Sequence, residues 1–154
     1  VSAADLRALA GERLGVADPW CVNYYGMTEI STQYYDTTLR SAWLGRPDRP
    51  RHKTAPPWAR IRVVDPETRE PVEPGERGLV VHYDLANWGS CLAVLTEDIG
   101  YLAPAQQSPP GTPPYPQPSP QPDFALLGRA EGTEARGCSV ALDEMLAANP
   151  GRPW

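Results

Sequence analysis

"NYYGMTEISTQYYD", residues 23–36, is the stretch on which the reading of this chain turns. It crowds aromatic, hydroxyl and acid side chains around Gly26, straight after the short apolar run Trp20-Cys21-Val22. A packed core has no use for Gly, Thr and Glu in succession, whereas a nucleotide site does. The bland reading of the same residues is a strand-to-loop corner with a buried Tyr and a solvated Glu.

Upstream of it, Ser2-Ala3-Ala4-Asp5 reads as a helix start, with Ser as N-cap and an acid three positions on. Leu6, Leu9 and Leu14 supply an apolar face, and Gly15 a stop. Asp18-Pro19 turns the chain, and Trp20-Cys21-Val22 is a candidate buried strand. Residues 29–44 stay open: Tyr34, Tyr35, Leu39 and Trp43 line either a helix face or a packed loop.

Downstream the period changes. Arg60-Ile61-Arg62-Val63 alternates with period two, which predicts a half-buried strand. Asp65-Pro66-Glu67-Thr68 and Pro74-Gly75-Glu76 are turns, and Gly78 to Tyr83 is a second strand. Leu92 to Leu95 adds a short strand that ends in Thr96-Glu97-Asp98-Ile99-Gly100. Residues 104–122 hold nine prolines and predict a polyproline-II-like or disordered spacer. Phe124 to Leu127 reads as a strand, and Ala141 to Ala148 as a short helix.

The 154 residues suffice for about one domain. A net charge of -5 with no basic run argues against nucleic acid and anionic membrane as partners. No apolar stretch approaches the roughly 18 residues of a membrane span. No basic-then-apolar signal pattern opens the chain. Three widely spaced cysteines (Cys21, Cys91, Cys138) form neither a disulfide framework nor a zinc pair, which points to a reducing cytoplasm. The first residue is Val, which suggests a piece of a longer polypeptide.

Three islands stand out in order: "YYGMTE", "TEDIGYL" and "LLGRAEGTEARG". Separated by a β-hairpin, they resemble the adenylate-forming superfamily of acyl-CoA synthetases, phenylacetate–CoA ligases and firefly luciferase. "YGMTEISTQYYD", "APPWARIRVVDPETREPVEPGERGLV", "DLAN", "AVLTEDIG" and "LLGRAEGTEARGCSVAL" narrow the resemblance. They are most similar to the LuxE-type acyl-protein synthetases, the long-chain-fatty-acid–luciferin-component ligases of bacterial luminescence. The resemblance covers nearly everything except the Pro-rich spacer and the last few residues.

The resemblance implies ATP and Mg²⁺ as cofactors. Physically, an aromatic ring suits a base and Gly admits close backbone approach. A Thr hydroxyl bonds phosphate or acyl oxygen, and a carboxylate ligates Mg²⁺. The resemblance gives these roles to Tyr25, Gly26, Thr28 and Glu29. It gives Asp98 the ribose hydroxyls, which a carboxylate accepts well; the alternative is a turn acid before Gly100. Glu97 stands where the superfamily has Gly. Arg129 would contact ribose or phosphate beside the hinge, or be a surface Arg in a Gly-rich loop. Glu131 would match the hinge acid, but the interval to Arg136-Gly137 is one residue short.

Thr28, Glu29 and Cys138 are the implied catalytic residues, with Cys138 as the thiol that takes the activated acyl group. The alternative for Cys138 is a small core residue, and for Cys21 and Cys91 the core reading is preferred. His52 and His82 have no local partners and form no constellation. Trp58 reads as a packing anchor.

No Ser/Thr/Gly-rich triphosphate loop precedes Tyr24, and no C-terminal lysine domain follows Ala148. The expectation is therefore an α/β fold, with α+β open: the C-terminal half of an adenylate-forming domain with an antiparallel β-subdomain. Residues 1–103 would be that half, 104–122 the spacer, and 123–154 a hinge strand and extension. The expected function is fatty-acid or other carboxylate adenylation followed by acyl transfer to a protein cysteine, incomplete in these residues alone. An acyl-reductase partner protein is implied. The alternatives are an acyl-CoA ligase, or a non-catalytic remnant or interaction module whose Pro-rich segment binds SH3-like partners.

Overall fold

The computed structural model describes residues 3–45, 50–104 and 122–130. Most of the Pro-rich segment, Glu131, Arg136, Cys138 and the Ala141–Ala148 helix expectation lie outside the described residues.

Helix α1 spans Ala3–Leu14. It ends as expected at Gly15, whose φ of 66° lets its N–H reach back to Gly11 O at 3.1 Å. The expected apolar face, however, is not buried. Leu6, Leu9 and Leu14 are exposed, while the small residues Ala4, Ala8 and Gly11 line a groove shared with Gly15–Asp18. Arg7 Nε fixes that contact on Asp18 Oδ1 at 2.9 Å.

The expected Trp20–Val22 strand is also corrected. Asp18–Trp20 is a single 3₁₀ turn, closed by Trp20 N–H to Ala17 O and Cys21 N–H to Asp18 O. Pro19 pre-sets this turn, and Trp20 and Val22 are left exposed.

Strand β1 is only Tyr24–Tyr25, paired antiparallel with β2, Tyr34–Tyr35. The open stretch after the motif thus resolves into β2 and a short helix α2, Thr38–Trp43. Tyr34 is core, whereas Tyr35, Leu39 and Trp43 are exposed.

A four-stranded antiparallel sheet follows in the order β3-β4-β5-β6. Its strands are β3 (Ala59–Val64), β4 (Gly78–Asp84), β5 (Ala93–Leu102) and β6 (Phe124–Arg129). Alternation in β3 is as read: Ile61 and Val63 are buried, Arg60 and Arg62 exposed. Asp65 Oδ1 caps the following turn by accepting from Glu67 N and Thr68 N. Strand β5 differs from expectation, since it runs unbroken through Thr96–Gly100. Leu95, Ile99 and Gly100 pair with β4, while Thr96, Glu97 and Asp98 bulge opposite Val80; Asp98 pairs with Arg129 of β6, and Thr96 Oγ1 donates to Val80 O at 2.8 Å. Asp98 is therefore a strand residue, and the turn-acid alternative does not apply.

The motif hairpin packs on one sheet face. Ile30, Tyr34, Ala55, Ala59, Ile61, Val80 and Phe124 form one buried cluster, with Tyr25 and Met27 against it. Lys53 stitches the two sheets together, exchanging backbone bonds with Phe124 while bridging Asp36. Among the described residues, no helix is long and apolar enough to cross a membrane.

Candidate nucleotide-facing site

The loop from Gly26 to Gln33 is held from below by the end of β4. Asp84 is 1% exposed and accepts from Thr32 Oγ1 and Thr32 N at 2.8 Å and from Ser31 N at 3.0 Å. Burial pushes its carboxyl up, but these bonds outweigh burial and hold it below the usual carboxylate value. Trp58 Nε1 donates to Thr32 Oγ1 at 3.1 Å, so it ties down the loop by a hydrogen bond while its ring stays half exposed, outside the buried core. Asn87, in the 3₁₀ turn Leu85–Asn87, donates from Nδ2 to Glu29 O at 2.8 Å and accepts from Ser31 Oγ at 3.1 Å. The "DLAN" segment thereby fixes the motif loop through both its acid and its amide.

The first and second islands meet. Tyr25 Oη donates to Asp98 Oδ2 at 2.5 Å across 73 positions of sequence. Burial, then that bond, raises the Tyr25 phenol well above its ordinary value, so it stays protonated. His82, fully buried, stacks on Tyr25 with centroids 5.5 Å apart. Its Nε2 is 3.4 Å from Tyr25 Oη and its Nδ1 3.2 Å from Tyr34 Oη. Burial lowers the His82 pKa to about 4 against the opposing charges of Asp98 and Asp84, so the ring is neutral near pH 7.

The third island arrives on β6. Arg129 is paired in register with Asp98. A bulge sets Leu127 between the partners of Ile99 and Gly100, and Gly128 takes φ 140°. Such a bulge re-aims the following side chain. Here Arg129 Nη2 meets Glu97 Oε2 at 2.5 Å. Glu97, the departure from the superfamily's Gly, is thus the acid that holds Arg129.

Tyr25, Asp98 and Arg129 are brought together. Thr28 and Glu29 sit on an exposed turn closed by Ile30 N–H to Met27 O at 3.4 Å, one short loop away. Gly26 is exposed, and a Cβ there would meet only Gln33 Cγ at an ordinary 3.7 Å. Among the described protein neighbours nothing demands a glycine at 26.

Among the described residues no group of three or more His, Cys, Asp or Glu could hold a metal. Glu29 as a lone exposed carboxylate fits Mg²⁺ that arrives already bound by phosphates and water, not a protein cage. The half-buried Tyr25 ring with Asp98 beside it fits the base and sugar of a nucleotide. Sequence reasoning missed His82, Asp84 and Asn87. The quoted "DLAN" carried the signal for two of them; His82 had none, since its partners lie 48 and 57 positions away.

The chain is 28% identical over 97 residues to the long-chain-fatty-acid–luciferin-component ligase of Aliivibrio fischeri, covering 63% of this chain and 24% of that protein. It is 22% identical over 125 residues to the ligase of the same name from Vibrio harveyi, covering 80% and 27%. The chain therefore spans only about a quarter of the length of these relatives. The luciferase-like enzyme of the nonluminescent mealworm Zophobas morio superposes with a TM-score of 0.50 at 16% identity, over 84% of this chain and 30% of that one. At that identity the likeness is one of fold, in keeping with the α/β class expected. The family model for acyl-protein synthetase, LuxE, matches residues 25–147, from the motif tyrosine to beyond Cys138. The chain belongs to the LuxE acyl-protein synthetase family.

Proposed function

We propose that this chain supplies the nucleotide-facing part of an ATP-dependent fatty-acid ligase and the thiol that receives the acyl group. The observation that carries this reading is the meeting of Tyr25 and Asp98, two widely separated motif residues, at a half-buried corner. Adenine lies against Tyr25, where Gly26 leaves room for it. A ribose hydroxyl donates to the Asp98 carboxylate, and Arg129 offers its charge to ribose or phosphate. Thr28 bonds the α-phosphate or the acyl oxygen, and Glu29 ligates the nucleotide's Mg²⁺.

The chemistry balances in two steps. A fatty-acid carboxylate oxygen attacks the α-phosphorus, the bond to the β-phosphate bridge breaks, and pyrophosphate leaves. The Cys138 thiolate then attacks the acyl carbonyl, and AMP leaves with the electron pair of the broken mixed-anhydride bond. The names of the relatives support long-chain fatty acid as the substrate class. A thioester on Cys138 is a form an acyl-reductase partner could consume, and a reducing cytoplasm would keep that thiol free.

The test places this chain in the longest reading frame that carries it. Labelled long-chain fatty acid, ATP and Mg²⁺ are added, and the denatured protein is assayed for hydroxylamine-labile label. Label that needs ATP and vanishes in Cys138→Ser supports the reading. Label that survives Cys138→Ser removes Cys138 as acceptor, and a coenzyme A thioester formed equally by that variant replaces the protein acceptor altogether.

A further inference from the structure

Three aromatic side chains that form no motif together stand in one line of hydrogen bonds ending at the nucleotide corner. Tyr34 and His82 are both 0% exposed. Tyr34 Oη is 3.2 Å from His82 Nδ1, and His82 Nε2 is 3.4 Å from Tyr25 Oη. Tyr25 Oη is 2.5 Å from Asp98 Oδ2.

The direction of this line follows from what each group can donate. A carboxylate only accepts, so the Tyr25 proton points at Asp98. Tyr25 Oη is then the acceptor toward His82, and His82 must donate from Nε2. A neutral imidazole has one N–H, so Nδ1 accepts and Tyr34 donates to it. No other arrangement satisfies all three contacts with a neutral ring. The imidazole stacks on Tyr25 with centroids 5.5 Å apart and lies tilted by 40° against Tyr34 at 5.3 Å.

We propose that His82 is a positioning residue of the nucleotide site. As the Nε2–H tautomer it fixes the Tyr25 hydroxyl, and through it the Asp98 carboxylate, before a nucleotide arrives. This rests on the nucleotide reading above. Its functional consequence is preorganisation: Tyr25 cannot spend its proton elsewhere, so one Asp98 oxygen is committed and the other is left for the ligand. The low pKa of His82, which burial causes, keeps this tautomer intact at neutral pH.

The test has two arms. In the first, ¹⁵N-histidine spectra of the nucleotide-free protein report the His82 tautomer at pH 7. Protonated Nε2 with bare Nδ1 is expected, and the opposite tautomer overturns the proposal without any variant. In the second, AMP dissociation constants are measured for wild type, His82→Phe, Tyr25→Phe and the double variant. His82→Phe is expected to weaken AMP by up to about tenfold, the worth of one net hydrogen bond. Because His82 acts through Tyr25, the double variant should be no weaker than Tyr25→Phe alone. Effects that multiply instead would leave His82 a packing residue and overturn the proposal while AMP binding stands. Wild type that binds no AMP would overturn the nucleotide reading and this proposal with it.

Discussion

Tyr25 Oη donates to Asp98 Oδ2 at 2.5 Å, joining the ends of two motifs that lie on different sheets. If Asp98 is the ribose acceptor, Asp98→Asn should weaken AMP by about 10- to 100-fold, the range of a hydrogen bond to a charged group. Tyr25→Phe keeps the ring and should cost less. Isothermal titration of both variants decides this, and equal affinities for wild type and Asp98→Asn would remove Asp98 from the site.

Two motif glycines should behave in opposite ways. A Cβ at Gly100 would fall 2.4 Å from Ala125 O and 2.9 Å from Val80 Cγ2, so β5 and β6 would have to part. Gly100→Ala should therefore cost about 1–3 kcal/mol of stability, as overpacking does. Gly26→Ala meets no such obstacle. It should leave the melting temperature unchanged and, on the proposed function, weaken nucleotide binding. Denaturation and titration of the two variants side by side test the contrast. Gly26→Ala that loses stability but not affinity would make Gly26 a structural glycine.

Asp84 makes the loop before any ligand does. It accepts from Ser31, Thr32 and Ala86 backbone N–H groups and from the Thr32 hydroxyl. Asp84→Asn turns one acceptor atom into a donor facing these groups. The expected cost is on the order of 3 kcal/mol. Hydrogen exchange should rise first at Ser31 and Thr32. Unchanged protection there would mean that Trp58 and Asn87 hold the loop without Asp84.

His82 should dominate the pH dependence between its unfolded and folded pKa values, 6.5 and about 4. In that window the unfolded chain binds a proton that the folded chain refuses. Stability is then full above 6.5 and falls as pH drops toward 4, by about 3 kcal/mol in all. Asp98 and Asp84 face the ring and favour its protonation, which keeps the shift from being larger. The depressed carboxyls of Asp84 and Asp36 add acid sensitivity only below the usual carboxylate value of 3.8. Urea titrations from pH 4 to 7 should show the slope, and His82→Gln should flatten it. A flat wild-type profile would mean that His82 is not buried neutral.

The parts legible in sequence were those set by local rules. Alternation at Ile61 and Val63 gave β3, Gly15 gave the helix stop, and the turn at Pro74-Gly75 was read where Gly75 has φ 96°. The islands were visible because their residue types are odd for a core. What escaped was non-local. Thr96-Glu97-Asp98 looked like a strand's end, yet it is a bulge within β5, which pairs with β4 on both sides of it and with β6 from Asp98 onward. Leu6, Leu9 and Leu14 had the right spacing for burial, but α1 leaves them exposed and meets the following turn through Arg7 on Asp18. Trp20-Cys21-Val22 was apolar enough for a strand, but Pro19 draws Trp20 into the 3₁₀ turn Asp18–Trp20 and Cys21 caps it. His82 has an ordinary strand context; only the fold shows that Tyr25 and Tyr34 close on it.

The most direct measurement is fatty-acid-dependent exchange of labelled pyrophosphate into ATP, in the longest reading frame that carries the chain. It isolates adenylation from acyl transfer. Exchange should require a long-chain fatty acid, collapse in Asp98→Asn and persist in Cys138→Ser. Exchange that is absent, or indifferent to Asp98→Asn, would contradict the claim that the Tyr25–Asp98 corner serves an adenylating site.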